Sequence, residues 1–342
     1  MHHLPTIITT TLISRNNFSI PTISQQEANL HVAFYGVIAF FAVLGNIPVL
    51  IIICRTPALQ TKSNLFLINL AVSDIMTGAV KDVFIMIGMQ PRRWIYSDTL
   101  CQISGFFIGV LHSVTVITLM VVAIFRYLIV VHGRRVNLKK RHVWIAIVLI
   151  WIFAILDALL PIIGWSKYTY SLLEFGCLPE FDPTPPSYAL FLLLAVTLIP
   201  LSIITYCYIA ILINIFIHDG TLRRYINHNG RQRQGLRCQL RQRELRATRR
   251  MFVVYMAFIV CLLPWAIIML ILVPAGILIS LKSIFWIGFL VNMNSAINPL
   301  IYYMIYPKIR RGYKKLICGH RRLESEVTSI RTTRTKVMSA WS

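Results

Sequence analysis

The side chains best placed for chemistry in this sequence are polar groups inside long apolar stretches. Asp74 lies within one such stretch, and a carboxylate embedded in hydrocarbon costs about 2.5–3.5 kcal/mol on insertion scales. A cost of that size indicates a partner or a function. Amide and hydroxyl side chains lie at similar depth in other stretches: Asn46, Thr115, Asn294, Ser295 and Asn298. We predict one hydrated polar cluster around Asp74. The alternative is a set of separate helix-packing groups, worth about 0.6 kcal/mol each.

The sequence contains none of the residue patterns that are typical of a zinc site or an enzyme active site. The seven cysteines include no C-x-x-C pair, the spacing that a structural zinc site favours. No nucleophile–base pair and no phosphate-binding loop is visible. We therefore expect neither an enzyme nor a metal centre.

Seven apolar runs must position the polar cluster. Only 13% of the 342 residues are charged, whereas soluble domains carry about 25%, and the mean hydropathy is +0.69. Each run can cross a hydrocarbon core of about 30 Å as a helix, which satisfies its backbone polar groups internally. The runs are 31–54, 65–88, 101–131, 143–164, 187–217, 251–273 and 280–305. The sequence predicts an all-α membrane protein, a seven-transmembrane helix bundle.

The segments between the runs are asymmetric in charge. The net charge is +22, and ten arginines fall between Arg223 and Arg250 alone. The positive-inside rule places the basic segments in the cytoplasm and the N-terminus outside. Lys81 is then assigned to the outer helix ends. Topology accounts for the basic surplus, so we expect a multi-pass plasma-membrane protein in contact with lipids, and no nucleic-acid partner.

Both chain ends lie outside the bundle. Asn17 begins a glycosylation sequon on the outer side. Basic and apolar residues alternate at helical spacing after Pro307, which predicts an interfacial amphipathic helix. Cys318 at its end is a candidate for palmitoylation, with a free thiol as the alternative. The predicted segments are an extracellular tail (1–30), the bundle (31–306), the amphipathic helix (307–318) and a cytoplasmic tail (319–342).

Two cysteines lie on the outer side. Cys101 opens the third run, and Cys177 lies in the loop between the fourth and fifth runs. Disulfides persist on this oxidising side. We predict a bridge that pins the loop over the mouth of the bundle and contributes a few kcal/mol. The alternative is two unrelated thiols.

Prolines interrupt four of the runs: Pro161, Pro200, Pro264 and Pro299. Each removes a backbone hydrogen bond and tends to kink its helix. Kinks in several helices predict a bundle that can pivot between two states.

Short motifs follow one another in a fixed order along the runs. They are Gly45-Asn46, Asn69-Leu70-Ala71-Val72-Ser73-Asp74, Phe125-Arg126-Tyr127, Trp151, Pro200 with Tyr208, Cys261-Leu262-Leu263-Pro264 and Asn298-Pro299-Leu300-Ile301-Tyr302. Their order resembles the rhodopsin-like (class A) family of G-protein-coupled receptors. The strings from Cys101 to Phe106 and from Gly164 to Tyr168 are similar to melatonin receptors and opsins.

The resemblance implies roles for these residues. Arg126 and Tyr127 would meet a heterotrimeric G protein at the cytoplasmic face, while Tyr208 and Tyr302 support the active state beside Asn298 and Pro299. The polar cluster would be the family's sodium pocket, formed by Asp74, Thr115, Asn294, Ser295 and Asn298. A cation there would offset the buried carboxylate and favour the resting bundle.

Two positions depart from the family pattern. Phe125 replaces the acid that normally restrains the motif arginine, which predicts raised basal activity. Glu244, at the base of the sixth run, occupies a position that can pair with Arg126, so part of the restraint can survive. Leu262 replaces the switch tryptophan, and Trp265 can take over some of its packing.

The ligand pocket is expected in the outer half of the bundle, lined by Ile108, His112, Trp265, Met269, Phe289 and Asn292. For His112 the alternative is a packing residue. Amine receptors of the family carry an Asp where this chain has Ile108, so a biogenic amine is not expected. Opsins carry the retinal-binding lysine where this chain has Asn292, so covalent retinal is disfavoured. Apart from the sodium ion, no cofactor is predicted.

The predicted function is to convert the binding of an unknown extracellular ligand, a small molecule or a peptide, into activation of a heterotrimeric G protein. The two departures leave an alternative, a non-signalling or constitutively active receptor-like scaffold. A seven-helix ion pump is disfavoured, because Asp74 alone is a poor relay across a membrane.

Overall fold

The computed structural model describes most of the chain. It covers residues 24–91, 93–133, 138–171, 175–180, 187–226, 231–268 and 280–318, without the side chains of 187, 189, 216–244, 281, 317 and 318. The sequon at Asn17 and the cytoplasmic tail therefore lie outside the described residues.

Eight helices, one hairpin and a short 3-10 turn (Pro57–Leu59) between α1 and α2 make up this part of the chain. They are α1 (Gln25–Arg55); α2 (Lys62–Met76, the π-helical turn Thr77–Lys81 and Asp82–Met89); α3 (Asp98–Tyr127, ending in the π-helical turn Leu128–His132); α4 (Lys140–Leu159); β1 (Tyr168–Ser171); β2 (Gly176–Pro179); α5 (Ser187–Phe191, the π-helical turn Leu192–Leu198 and Ile199–Ile226); α6 (Arg231–Ile267); α7 (Leu281–Ile305); and α8 (Pro307–Cys318).

Six of the described helices, α1 and α3 to α7, are long and apolar enough to cross a membrane. Helix α2 completes the seven and carries Asp74, Lys81 and Asp82, all of them buried. The outward face of the bundle is apolar. On α4, for example, Trp144, Val148 and Leu149 are more than half exposed. Apolar side chains outside and polar side chains inside are the arrangement that lipid as a solvent requires.

The first helix begins earlier than its apolar run, because its start is capped. The Ser24 hydroxyl accepts a hydrogen bond from the Glu27 backbone N–H, and the Glu27 carboxylate accepts one from the Ser24 N–H. This capping box satisfies two otherwise unpaired donors. The same Glu27 forms an ion pair with Lys282 at 2.8 Å, which joins the outer ends of α1 and α7.

The prolines differ in part from the prediction. Pro264 and Pro299 lie inside α6 and α7, and Pro200 follows the π-helical turn of α5. The prediction for Pro161 was wrong, because α4 ends at Leu159 and Pro161 lies in the turn that follows. Pro48 lies inside α1 and was not singled out from the sequence.

A β-hairpin covers part of the outer mouth. Strands β1 and β2 pair antiparallel, and the predicted disulfide between Cys101 and Cys177 is confirmed, with 5.4 Å between its Cα atoms. The Tyr168 ring lies so close to α3 that a Cβ on Gly105 would be 2.3 Å from it. Burial raises the pKa of the Tyr168 phenol, so the group stays protonated and donates a 2.8 Å hydrogen bond to the Ala158 carbonyl.

The amphipathic helix α8 is fastened to α1. A Cβ on Gly312 would be 2.5 Å from Ile52, so only glycine allows this approach. The Tyr313 hydroxyl donates a 2.7 Å hydrogen bond to the Gly45 carbonyl, and burial raises the pKa of that phenol to about 12. The exposed side of α8 carries Lys308, Arg310, Arg311, Lys314 and Lys315.

Candidate functional site

One part of the polar interior is a hydrogen-bonded set of side chains from three helices. The Asn69 amide donates to the Thr118 hydroxyl at 2.8 Å, and its carbonyl oxygen accepts from the Trp151 indole at 2.9 Å. Both hydrogen bonds satisfy buried polar groups, and together they hold α2 against α3 and α4.

A second polar group surrounds the fully buried Asp74. The Asn298 amide donates to Asp74 Oδ2 at 2.9 Å, and the Ser295 hydroxyl lies near the same carboxylate. Asn46 on α1 donates to the Ser295 carbonyl at 3.1 Å. The structure thus joins α1, α2 and α7 here, as a cluster rather than as separate polar groups.

Two of the residues named for the sodium pocket make no described hydrogen bond to the carboxylate. The Thr115 hydroxyl bonds to Ser73 at 3.3 Å and to the Leu111 carbonyl at 3.0 Å. Asn294 is buried but forms no hydrogen bond to Asp74 among the residues that the structure describes. The Ser73 hydroxyl, which was not among the residues predicted for the pocket, is the side-chain partner of Thr115.

The cluster has the ligand chemistry that a cation needs. Oδ1 of Asp74, Oδ1 of Asn298 and the Tyr302 hydroxyl oxygen are buried and have no hydrogen-bond partner within the described residues. Hard cations take oxygen ligands, and an unpaired buried carboxylate oxygen is costly unless something compensates it. The residues therefore fit a sodium ion.

At the end of the bundle that the charge pattern predicts to be cytoplasmic, Arg126 is 2% exposed. Its guanidinium donates a hydrogen bond to the hydroxyl of Ser63 on α2. The neighbouring Phe125 ring packs edge-to-face on Phe66, with centroids 5.2 Å apart. The residue that replaces the family's acid has therefore become an apolar contact with α2, while a serine of α2 meets the arginine.

Tyr208 of α5 and Tyr306, which follows α7, lie close enough to the buried arginine to interact with its charge. Tyr208 stacks on Tyr255 with centroids 5.4 Å apart. Tyr302 is fully buried, and its ring lies edge-on to that of Tyr306. The guanidinium carbon of Arg250 lies 4.7 Å from the centroid of the Tyr306 ring. The side chain of Glu244 lies outside the described residues, so its pairing with Arg126 stays a prediction. Tyr127 packs against Tyr206 of α5 at 5.9 Å.

The residues expected to bind ligand are spread over the outer half. Ile108 is buried and His112 partly buried on α3. The Asn292 amide donates to the Tyr35 hydroxyl at 3.2 Å and to the Gly288 carbonyl at 2.8 Å. Phe289 joins an aromatic group with Phe34, Tyr35, Phe285 and Trp286. Trp265 packs on the main apolar core, which includes the buried Leu262, and Met269 lies outside the described residues.

The assignment of Lys81 to the outer helix ends was wrong. Helix α2 continues to Met89, and Lys81 is only 9% exposed inside the bundle. Asp82 is fully buried, and Asp157 is 3% exposed; its carboxylate accepts a 2.6 Å hydrogen bond from Ser113. Hydropathy gives no signal for such burial, because it depends on how neighbouring helices are rotated.

The geometry agrees with comparisons to known proteins. The sequence matches the family "7 transmembrane receptor (rhodopsin family)" over residues 45–302. It is 26% identical to mouse (Mus musculus) opsin-3, covering 83% of this chain and 69% of that protein. It is 29% identical to the melatonin receptor type 1C of Xenopus laevis, covering 80% and 64%.

A further relative is the GQ-coupled rhodopsin of Mizuhopecten yessoensis, 28% identical over 85% of this chain and only 60% of that protein. The fold is similar to the crystal structure of squid rhodopsin, with a TM-score of 0.77, 23% identity and coverage of 90% and 91%. The disulfide and the ordered motifs from Gly45 to Tyr302 lie within the matched region, whereas α8 lies beyond it. The chain belongs to the rhodopsin family of seven-transmembrane receptors, the class A G-protein-coupled receptors.

Proposed function

We propose that the chain is a receptor that activates a heterotrimeric G protein when an extracellular ligand binds in the outer half of its bundle. The observation that carries this proposal is Arg126, buried at the cytoplasmic end of α3 between α2 and the tyrosines of α5 and α7. A group held in this way can be released toward a cytosolic partner when the helices separate. The ligand would shift an existing equilibrium between closed and open states.

The decisive experiment is nucleotide exchange on purified G proteins by the full chain in lipid nanodiscs. Arg126→Ala should abolish exchange above the level of empty nanodiscs. Arg141→Ala, which removes an exposed arginine at the cytoplasmic end of α4, is the matched control and should leave exchange unchanged. Equal exchange with Arg126 and with alanine would refute the proposal.

The resting state is restrained by hydrogen bonds to Arg126 rather than by an adjacent acid. Phe125 cannot hold the guanidinium, and the Ser63 hydroxyl is a neutral acceptor. Charge-assisted hydrogen bonds are stronger when both groups are ionised, so this contact is a weaker restraint than a carboxylate would be. Raised basal activity follows, limited further if Glu244 pairs with Arg126.

The Asp74 cluster would hold a sodium ion in the resting state. Asp74, Asn298 and Ser295 would supply the oxygens. Ser73 precedes Asp74 on α2, and its hydroxyl pairs with Thr115 of α3. Since Asn298 belongs to the same helix segment as Pro299 and Tyr302, a bound cation would fasten the kinked part of α7 to α2.

The packing of Phe125 on Phe66 favours a second candidate, a constitutively active or non-signalling receptor-like scaffold. The two candidates differ in how exchange responds to ligand and to Arg126→Ala. A non-signalling scaffold would reach the plasma membrane and show no exchange with either residue. A constitutively active one would show exchange that needs Arg126 but does not rise with ligand, whereas exchange by the proposed receptor needs Arg126 and rises when its ligand binds.

A further inference from the structure

Lys81 is a buried basic residue that belongs neither to the Asp74 cluster nor to the residues around Arg126. It ends the π-helical turn Thr77–Lys81, a distortion that often marks functional sites in helices. At 1.5 Å rise per residue it lies about 10 Å further out than Asp74, and Gly88 lies about 10 Å beyond it. The Gly88 carbonyl accepts a hydrogen bond from Tyr170 of the hairpin. Lys81 is therefore in the middle of the outer half, under the hairpin.

The lysine does not extend to the membrane surface. Long cationic side chains in membranes usually place their charge at the interface with water, but Lys81 is only 9% exposed. No hydrogen bond or ion pair holds its ammonium among the residues that the structure describes. Its Nζ is not among the fully buried unpaired atoms, so the ammonium keeps an accessible surface within a largely buried residue. A charge in such surroundings is stabilised when an anion or several acceptors face it.

The groups around the ammonium come from two helices. His112 of α3 lies close enough to interact with its charge. Asp82 interacts electrostatically with Lys81. Because consecutive residues on a helix do not face each other, its carboxylate does not form an ion pair with the ammonium. Both Asp82 oxygens lack a hydrogen-bond partner within the described part of the chain. Asp82 therefore attenuates the positive potential without occupying the ammonium.

Apolar side chains lie directly above both polar groups. Ile85 is one turn further out than Lys81 on α2, and Ile108 is one turn further out than His112 on α3. Both are buried. A ligand between these helices would meet hydrocarbon along its body and two nitrogen donors at its inner end.

We infer that Lys81, assisted by His112, anchors the carboxylate of an apolar ligand in the outer half of the bundle. A carboxylate has two acceptor oxygens and can take the ammonium and an imidazole N–H together. A neutral or cationic ligand would leave the lysine uncompensated. The inference rests on the proposed receptor function for its signalling consequence, but the binding itself does not need a G protein.

The test is direct binding of unbranched carboxylates, from hexanoate to dodecanoate, to the full chain in nanodiscs. The alcohols of equal length and empty nanodiscs correct for partition into lipid. At least one carboxylate should bind saturably and better than its alcohol. Lys81→Met should weaken that binding by about tenfold or more, the usual effect of losing a hydrogen bond to a charged group, whereas Lys81→Arg should retain it.

Asp82→Asn is the second variant, because it removes the competing negative charge without touching the anchor. It should tighten carboxylate binding and leave alcohol binding unchanged. Binding that is equal in the wild type and in Lys81→Met, or no carboxylate preference across the whole series, would overturn the inference.

Exchange measured in the same nanodiscs separates the two proposals. Arg126→Ala should abolish exchange and keep carboxylate binding. If carboxylate binding depends on Lys81 but the chain shows no exchange, the anion site is supported and the receptor function is refuted. If exchange depends on Arg126 but carboxylate binding is unchanged by Lys81→Met, the receptor function is supported and the anion site is refuted.

Discussion

The side-chain amide of Asn298 donates a 2.9 Å hydrogen bond to Asp74, and this contact joins α7 to α2 at the centre of the bundle. Asn298 immediately precedes Pro299, so the contact lies where α7 lacks a backbone hydrogen bond. A buried hydrogen bond to a carboxylate is thus placed next to the position where the proline interrupts the backbone hydrogen bonds of α7.

Sodium should stabilise the wild-type chain through this contact. Raising NaCl against an equal concentration of choline chloride should raise Tm and lower basal exchange, because a ligand that binds one state shifts the equilibrium toward it. Asp74→Asn should abolish both effects. Asp157→Asn alters another buried carboxylate and should preserve them. A sodium response that survives Asp74→Asn would contradict the pocket.

Removing the Ser63 hydroxyl should release the arginine. Ser63→Ala should raise ligand-independent exchange by about tenfold or more, the usual effect of losing a hydrogen bond to a charged group. Ser63→Thr keeps the hydroxyl and should stay near the wild type. If Ser63→Ala leaves basal exchange unchanged, the contact on α2 is not a restraint.

Restoring the family's acid should have the opposite effect. Phe125→Asp should lower basal exchange, because a carboxylate beside Arg126 holds the guanidinium with a charged acceptor. Phe125→Leu removes the ring contact with Phe66 without adding charge and controls for packing. Glu244→Ala should raise basal exchange. The hypothesis of weakened restraint fails if neither Phe125→Asp nor Glu244→Ala changes turnover.

The hairpin should tolerate no side chain at Gly105. Gly105→Ala would bring a Cβ within 2.3 Å of the Tyr168 ring, and overpacking of this kind costs about 1–3 kcal/mol. Gly36→Ala, whose Cβ would meet its nearest neighbour at 3.9 Å, is the control. Thermal unfolding in detergent should show a lower Tm for the first variant only. Equal Tm values would mean that the hairpin moves away freely.

Much of this architecture could be predicted from the sequence. Seven apolar runs give the helices, and the outer positions of Cys101 and Cys177 give the disulfide that pins the hairpin. Asp74 and Asn298 could be grouped because a buried carboxylate needs partners. These features depend on composition and on depth, both of which are local properties of the sequence.

The failures depend on helix rotation and on side-chain direction. Lys81 was placed at a helix end because charge normally interrupts a hydropathic run, yet the π-helical turn and the packing of α2 bury it. Thr115 was grouped with the sodium pocket by its depth; its hydroxyl bonds to Ser73 on α2, and its place in the pocket stays a prediction. Ser63 gave no signal, since a serine near the membrane surface is unremarkable until an arginine meets it.

The attachment of α8 to α1 has a consequence for how lipids influence the receptor. Because Tyr313 and Gly312 hold this helix against α1, its five exposed basic residues stay at a constant height relative to the bundle. Anionic headgroups attract such residues by about 1 kcal/mol each. The composition of the cytoplasmic leaflet would then set how deeply the bundle sits, and with it the distance from Arg126 to the aqueous phase. Enriching that leaflet in anionic lipid should therefore alter the access of a transducer without any change in the protein.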